Sequence, residues 1–199
     1  MIISLGVDPG TLNYAYGFVQ YKLHEGSLRP KILSAGQLHW TITNLTDGLQ
    51  KPPKSKRKKS IAMSDQMIPP FQSQLSLFEK DWRAQVRRFQ PSHWTVERFQ
   101  SRGLQGKTIE CVSLMNGVLA AMARRNKIYY GMITAAQWKN RVNAFDNLDA
   151  IYKDAGLPPH IVDACFISAY SALKHFKLNW DEALIKRMVV QLSRLEYNK

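Results

Sequence analysis

Four side chains in this sequence carry groups that could act together on a phosphodiester: Asp8, Glu97, His160 and Asp163. Asp8 closes an apolar, β-rich run, Ile-Ile-Ser-Leu-Gly-Val-Asp, that Pro9-Gly10-Thr11 then breaks. Glu97 closes a second such run, His-Trp-Thr-Val-Glu. If the two strands are parallel neighbours, both carboxylates meet at one edge of a sheet. His160 and Asp163 stand three apart at the start of a predicted helix, a spacing that places them on one helical face. Three carboxylates in one place repel one another and call for a cation. Oxygen-rich sites with positions left for water suit Mg²⁺, with Mn²⁺ as a substitute. Two such ions could activate a water and stabilise the leaving oxygen of a phosphodiester. Each feature also has an ordinary explanation. Asp-Pro-Gly-Thr is a common turn, and an aspartate in a helix's first turn is favoured by the dipole. The set is more informative than its members, because all four groups fall where one arrangement needs them.

The elements that must position these groups follow from the hydrophobic pattern. Residues 2–8, 14–21 and 31–40 read as three strands joined by short turns, an antiparallel meander. Phe78, Trp82, Val86 and Phe89 recur at helical spacing between Arg83, Arg87 and Arg88. They predict an amphipathic helix whose aromatic stripe packs on the sheet as core. Residues 93–97 give a fourth strand, 107–125 a long helix and 127–132 a fifth strand. Shorter helices are predicted over 134–142, from Pro158-Pro159 through His175, and over 181–196. Pro159 suits a first helical turn. The resulting class is α/β, a mixed five-stranded sheet flanked by helices. Residues 1–178 read as one domain, and 179–199 as a C-terminal amphipathic helix with no assigned role.

The chain has 199 residues and a net charge of +13, with 45% hydrophobic residues, enough for one domain with a real core. The charge favours a polyanionic partner, because a cation that meets a phosphate releases condensed counterions. A stretch at 41–70 contains Lys51-Pro-Pro-Lys-Ser-Lys-Arg-Lys-Lys-Ser60 and cannot bury surface, so it is expected to be a mobile basic insertion. It is equally readable as a solvated linker and as an arm touching DNA through Lys54, Lys56, Arg57, Lys58 and Lys59. Such a tract also resembles a nuclear localisation signal. No apolar run reaches the length of a membrane span, and the N-terminus lacks the pattern of a signal peptide. A cytoplasmic, nucleoid-associated location is therefore expected, with a nuclear one left open by the basic tract. Cys111 and Cys165 stand alone in apolar stretches and read as buried thiols.

These motifs resemble those of RuvC-type Holliday junction resolvases, which have the ribonuclease H-like fold. The segment Leu5-Gly-Val-Asp-Pro-Gly-Thr-Leu-Asn-Tyr-Ala-Tyr-Gly-Phe18 resembles the family's first motif. Thr95-Val-Glu-Arg-Phe99 resembles its second, residues 129–139 the strand and basic segment that follow, and residues 160–169 its closing motif, in which His or Asp stands first. The insertion at 41–65 is longer than in bacterial members, and the stretch between Lys139 and Pro158 shorter. Phe99 approximates the family's aromatic after the catalytic Glu, at a different spacing. The resemblance implies a homodimer that nicks four-way DNA junctions symmetrically, leaving a 5′-phosphate and a 3′-hydroxyl. Asp8, Glu97 and Asp163 would hold metal, His160 would be a ligand or position the water, and Lys139 would lie near the scissile phosphate. Lys107 and Arg98 are expected among the DNA contacts. The helix at 107–125 is predicted to join the dimer, since Leu114, Val118 and Ala121 widen its apolar stripe and Gly117 allows close approach.

Three alternatives share parts of this pattern. One is a ribonuclease H-like nuclease acting on flaps, forks or structured RNA, including the pre-16S rRNA nuclease family that shares the Asp-x-Gly-Thr start. Another is the sugar kinase and actin group, whose second phosphate loop is not found in this sequence. The third is a non-catalytic DNA-binding module of the same fold.

Overall fold

The computed structural model describes residues 1–10, 14–38, 75–76, 78–98 and 107–195, with the side chains of 107–111 excluded. The basic insertion, with Lys54, Lys56, Arg57, Lys58 and Lys59, lies outside the described residues, as do Phe99 and the side chains of Lys107 and Cys111.

Five strands form one sheet in the order β3-β2-β1-β4-β5. They are β1 (Ile2–Asp8), β2 (Tyr14–His24), β3 (Ser27–Leu38), β4 (His93–Glu97) and β5 (Tyr129–Ile133). β1, β2 and β3 pair antiparallel as the predicted meander, and β4 pairs parallel with β1 and with β5. The third strand begins earlier than its apolar pattern suggests. A turn at Glu25 and Gly26, both at positive φ, lets Leu28 pair with Leu23. The fifth strand starts at Tyr129, because Lys127 takes a left-handed conformation that ends the preceding turn.

Helices cover both faces. Residues 78–89 form α1, and α2 is Lys107–Arg125. On this face Phe78, Trp82 and Val86 are buried with Leu5, Val7, Phe18, Trp94, Met115 and Leu119. The aromatic stripe is therefore core, as its helical spacing predicts. The other face is covered by α3 (Ala135–Asn143), α4 (Leu148–Ala155), α5 (Pro159–Phe176) and α6 (Glu182–Leu192). Leu184, Ile185, Met188 and Leu192 of α6 lie in the same buried cluster as Val19, Tyr21 and Leu28, so the C-terminal helix packs on the sheet. α4 is an element that the hydrophobic pattern does not predict. Its signals are Asn147, whose side chain accepts from the Asp149 amide, the buried Leu148, Ile151 and Ala155, and Gly156 in the left-handed cap.

The helix that matters most for the site is α5, and its seat on the sheet is set residue by residue. Ser4 Oγ donates to the Ser168 carbonyl, Gly6 faces Ala164, and Asp8 meets His160. Alternate residues of β1 thus face every fourth residue of α5. Two strand residues advance about 6.6 Å and four helical residues about 6.0 Å, so the two rows stay in step. The neighbouring strand repeats the pattern, with Thr95 hydrogen-bonded to Ser171 and His93 beside His175. Gly6 and Gly17 are paired across β1 and β2. A Cβ on Gly6 would lie 1.9 Å from the Ala164 carbonyl oxygen, and one on Gly17 would lie 2.7 Å from Cys165 Sγ. The paired glycines form a notch into which the α5 backbone sinks, and that notch brings Asp163 and His160 to the edge of the sheet.

Candidate active site

Val7 pairs with Val96 in parallel register, so the next residues along, Asp8 and Glu97, end neighbouring strands at the same edge. The helical row on α5 delivers His160 to Asp8, with Nδ1 2.7 Å from Oδ2. Because a carboxylate accepts only, Nδ1 carries the proton and Nε2 is the nitrogen left for a ligand or water. Asp163 is buried and takes two hydrogen bonds of 2.7 Å, from Lys139 Nζ to Oδ2 and from the Tyr152 hydroxyl to Oδ1. Glu97 accepts from the Trp138 indole at Oε2, also at 2.7 Å. The other oxygens, Asp8 Oδ1 and Glu97 Oε1, take no hydrogen bond from the described residues.

The electrostatics match three carboxylates sharing one corner. Burial pushes the Glu97 carboxyl above its ordinary range; the Trp138 hydrogen bond opposes this, while Asp8 and Asp163 reinforce it. Burial also raises Asp163, against Lys139 and Tyr152 and with Asp8. His160 is raised chiefly by its hydrogen bond to Asp8. Burial and the neighbouring Asp163 carboxylate raise the Tyr152 phenol, so it stays a donor at neutral pH.

The structure brings Asp8, Glu97, His160, Asp163 and Lys139 together. Arg98 follows directly, its backbone amide donating to the Ile133 carbonyl and its side chain exposed. Two residues of this corner, Trp138 and Tyr152, carry no signal in the sequence that assigns them a role there. An indole and a phenol in amphipathic helices look like core aromatics until the acceptor they face is known. Among the described residues no three His, Cys, Asp or Glu side chains converge into a ready-made metal cage. The donor set itself fits a hard divalent cation: carboxylate oxygens at one edge, with Glu97 and Asp163 raised by burial and further by their acidic neighbours, and an imidazole alongside. The candidate ligands are instead paired off with His160, Trp138, Lys139 and Tyr152.

A central mixed sheet in this order, flanked by helices with acidic groups at the parallel edge, is the ribonuclease H-like fold. Comparison with solved structures gives its particular variant. Thermus thermophilus RuvC aligns with a TM-score of 0.60 at 15% identity, over 89% of this chain and 98% of that one. The same bacterium's RuvC in complex with Holliday junction substrate aligns with a TM-score of 0.59 at 17% identity, over 87% and 94%. The chain thus has the RuvC-type fold over nearly the full length of those proteins. No protein-family model and no curated protein matches the sequence. Among the described residues no helix is long and apolar enough to cross a membrane.

Proposed function

We infer that this chain is a divalent-metal-dependent endonuclease acting on branched DNA, with four-way junctions as its substrate. The observation that carries the reading is the meeting of Asp8, Glu97, Asp163 and His160 at one sheet edge, in a fold shared with a junction-bound RuvC. Asp8, Glu97 and Asp163 would hold the cations, two per site, with His160 Nε2 completing the set or orienting a water. Mg²⁺ or Mn²⁺ held there would supply an activated water and neutralise charge on the phosphate. Lys139 lies at this corner as a cation that can turn from Asp163 to a phosphate oxygen. Hydrolysis in this sense leaves a 5′-phosphate and a 3′-hydroxyl. Arg98, Lys107 and the basic tract at 51–60 would contact the DNA backbone.

A two-fold dimer follows from the same reading, since a four-way junction needs two matched nicks. On α2, Val112, Met115, Leu119 and Met122 are buried in the chain's own core, while Leu114 is half-exposed. A Cβ at Gly117 would meet nothing within 4 Å, which leaves room for a second backbone. This outward line is the proposed dimer face, an isologous contact that fixes the separation of two sites.

The test is a panel of fixed-sequence linear duplex, flap and four-way junction, each with Mg²⁺ and with EDTA. Metal-dependent cleavage of the junction above the other substrates is expected. Preferential cleavage of flaps would move the substrate within the same fold. No cleavage of any substrate would leave a DNA-binding module.

A further inference from the structure

We propose that Trp138 and Tyr152 are positioning residues, which fix the orientation of the Glu97 and Asp163 carboxylates for the cation. This rests on the metal-site reading above and deepens it. Each donor takes one oxygen of its carboxylate, at 2.7 Å in both cases. A carboxylate held at one oxygen no longer rotates freely, so the remaining lone pairs have a fixed direction. Both donors are neutral. They hold the carboxylates without offering a competing positive charge, unlike Lys139, whose ammonium occupies Asp163 as a cation would.

The placement of Trp138 is specific. It is fully buried and stacks nearly parallel on Phe166 of α5, with ring centroids 6.3 Å apart and planes within 7°. The indole plane is therefore fixed by the helix that carries Asp163. Burial of an indole does not by itself demand this partner. Trp82 and Trp94 bury their Nε1 atoms with no acceptor among the described residues. Tyr152 comes from α4 and Trp138 from α3, so the segment between β5 and α5 supplies both hydrogen bonds. Substitutions of such outer partners in metal sites weaken cation affinity or turnover by about 10–100-fold.

The experiment compares the full-length wild type with Trp138→Phe, Tyr152→Phe and Asp8→Asn. Tyr152→Phe removes a single oxygen and keeps the ring, so it separates positioning from packing if Trp138→Phe folds poorly. Mn²⁺ affinity is read by calorimetry, and kcat and KM are read on the four-way junction. The expected result is Mn²⁺ affinity and kcat lowered about 10–100-fold, with KM for the junction and the unfolding temperature of Tyr152→Phe unchanged. Affinity and kcat of both Phe variants within about threefold of wild type, with Asp8→Asn inactive, would overturn the positioning role and leave the nuclease reading standing. If Asp8→Asn binds Mn²⁺ and cleaves like wild type, the site assignment fails and this proposal with it. If the wild type binds Mn²⁺ through Asp8 but cleaves no DNA, the affinity comparison alone decides.

Discussion

Replacing Gly6 by Ala tests how the site is assembled, because the added methyl meets the α5 backbone at two residues. A Cβ there would stand 1.9 Å from the Ala164 oxygen and 2.4 Å from the Ser168 nitrogen. No rotamer change relieves either contact. Real Cβ atoms essentially never approach closer than 3.0 Å, so α5 must lift by at least about 1 Å. Overpacking of a tight core costs about 1–3 kcal/mol, and a clash with helix backbone belongs at the upper end. For a chain of this size each kcal/mol lowers the midpoint by about 2–4 °C, so a fall of roughly 6–12 °C is expected. The same shift carries Asp163 and His160 away from Asp8 and Glu97. A misplacement near 1 Å costs about 100-fold in rate. The assay is thermal unfolding in EDTA, paired with junction cleavage at a temperature where the variant is fully folded. A midpoint within about 2 °C of wild type, with cleavage within about threefold, would refute the notch as the device that seats α5.

Other substitutions probe separate parts of the account. Burial holds the Glu97 carboxyl above its ordinary range, so the folded state binds that proton more tightly than the unfolded state. The wild type therefore loses stability as pH rises from the ordinary carboxylate range through the raised value. Glu97→Gln keeps an acceptor for Trp138 and should unfold at a higher temperature than wild type in EDTA at about pH 7.5, with the gap closing toward pH 4. A lower midpoint with a pH-independent gap would contradict this. His160→Asp should keep measurable cleavage while His160→Ala loses most of it, since imidazole and carboxylate both ligate divalent ions. An Ala variant as active as wild type would reduce His160 to a helix-start residue. Deleting residues 51–60 should leave the unfolding transition unchanged and flatten the salt dependence of DNA binding by up to about 0.9 log units per lost phosphate contact. An unchanged slope would mean that the tract points away from DNA. Leu114→Glu alters a half-exposed position and should give a folded monomer that no longer makes paired nicks. Light scattering showing a wild-type monomer, free and on junction DNA, would rule that face out.

The readable part of this molecule is the part governed by periodicity and by chain breaks. Apolar, β-rich runs ending in Asp8 and Glu97 marked the two parallel strands, and Pro159 with the 160–163 spacing marked the start of α5. The stripe of Phe78, Trp82 and Val86 marked a core helix, since arginines interrupt it at helical intervals. What escaped was short or relational. The eight residues of α4 give barely two turns of pattern, and only the Asn147 and Gly156 caps mark its limits. Trp138 and Tyr152 have no feature in the sequence that separates a hydrogen-bonding aromatic from a packed one. Their role depends on acceptors 41 and 11 residues away, respectively. The closeness of α5 to the sheet was equally hidden, because a glycine in a strand shows no sign of which backbone fills the space it leaves. The placement of α6 depends on the apolar face that β2 and β3 present to it, which the helix's own amphipathic pattern does not reveal.

The most direct test of the central claim uses one labelled four-way junction with wild type, Asp8→Asn and Glu97→Gln, reading binding and cleavage in the same samples. Carboxylates that serve a cation should be dispensable for holding DNA, because phosphate contacts come from the basic surface. The expected result is Mg²⁺-dependent, symmetric nicks with 5′-phosphate ends from the wild type, and from both variants intact junction bound as tightly as by the wild type. Cleavage by both variants within about tenfold of wild type would contradict the assignment of this corner as the active site.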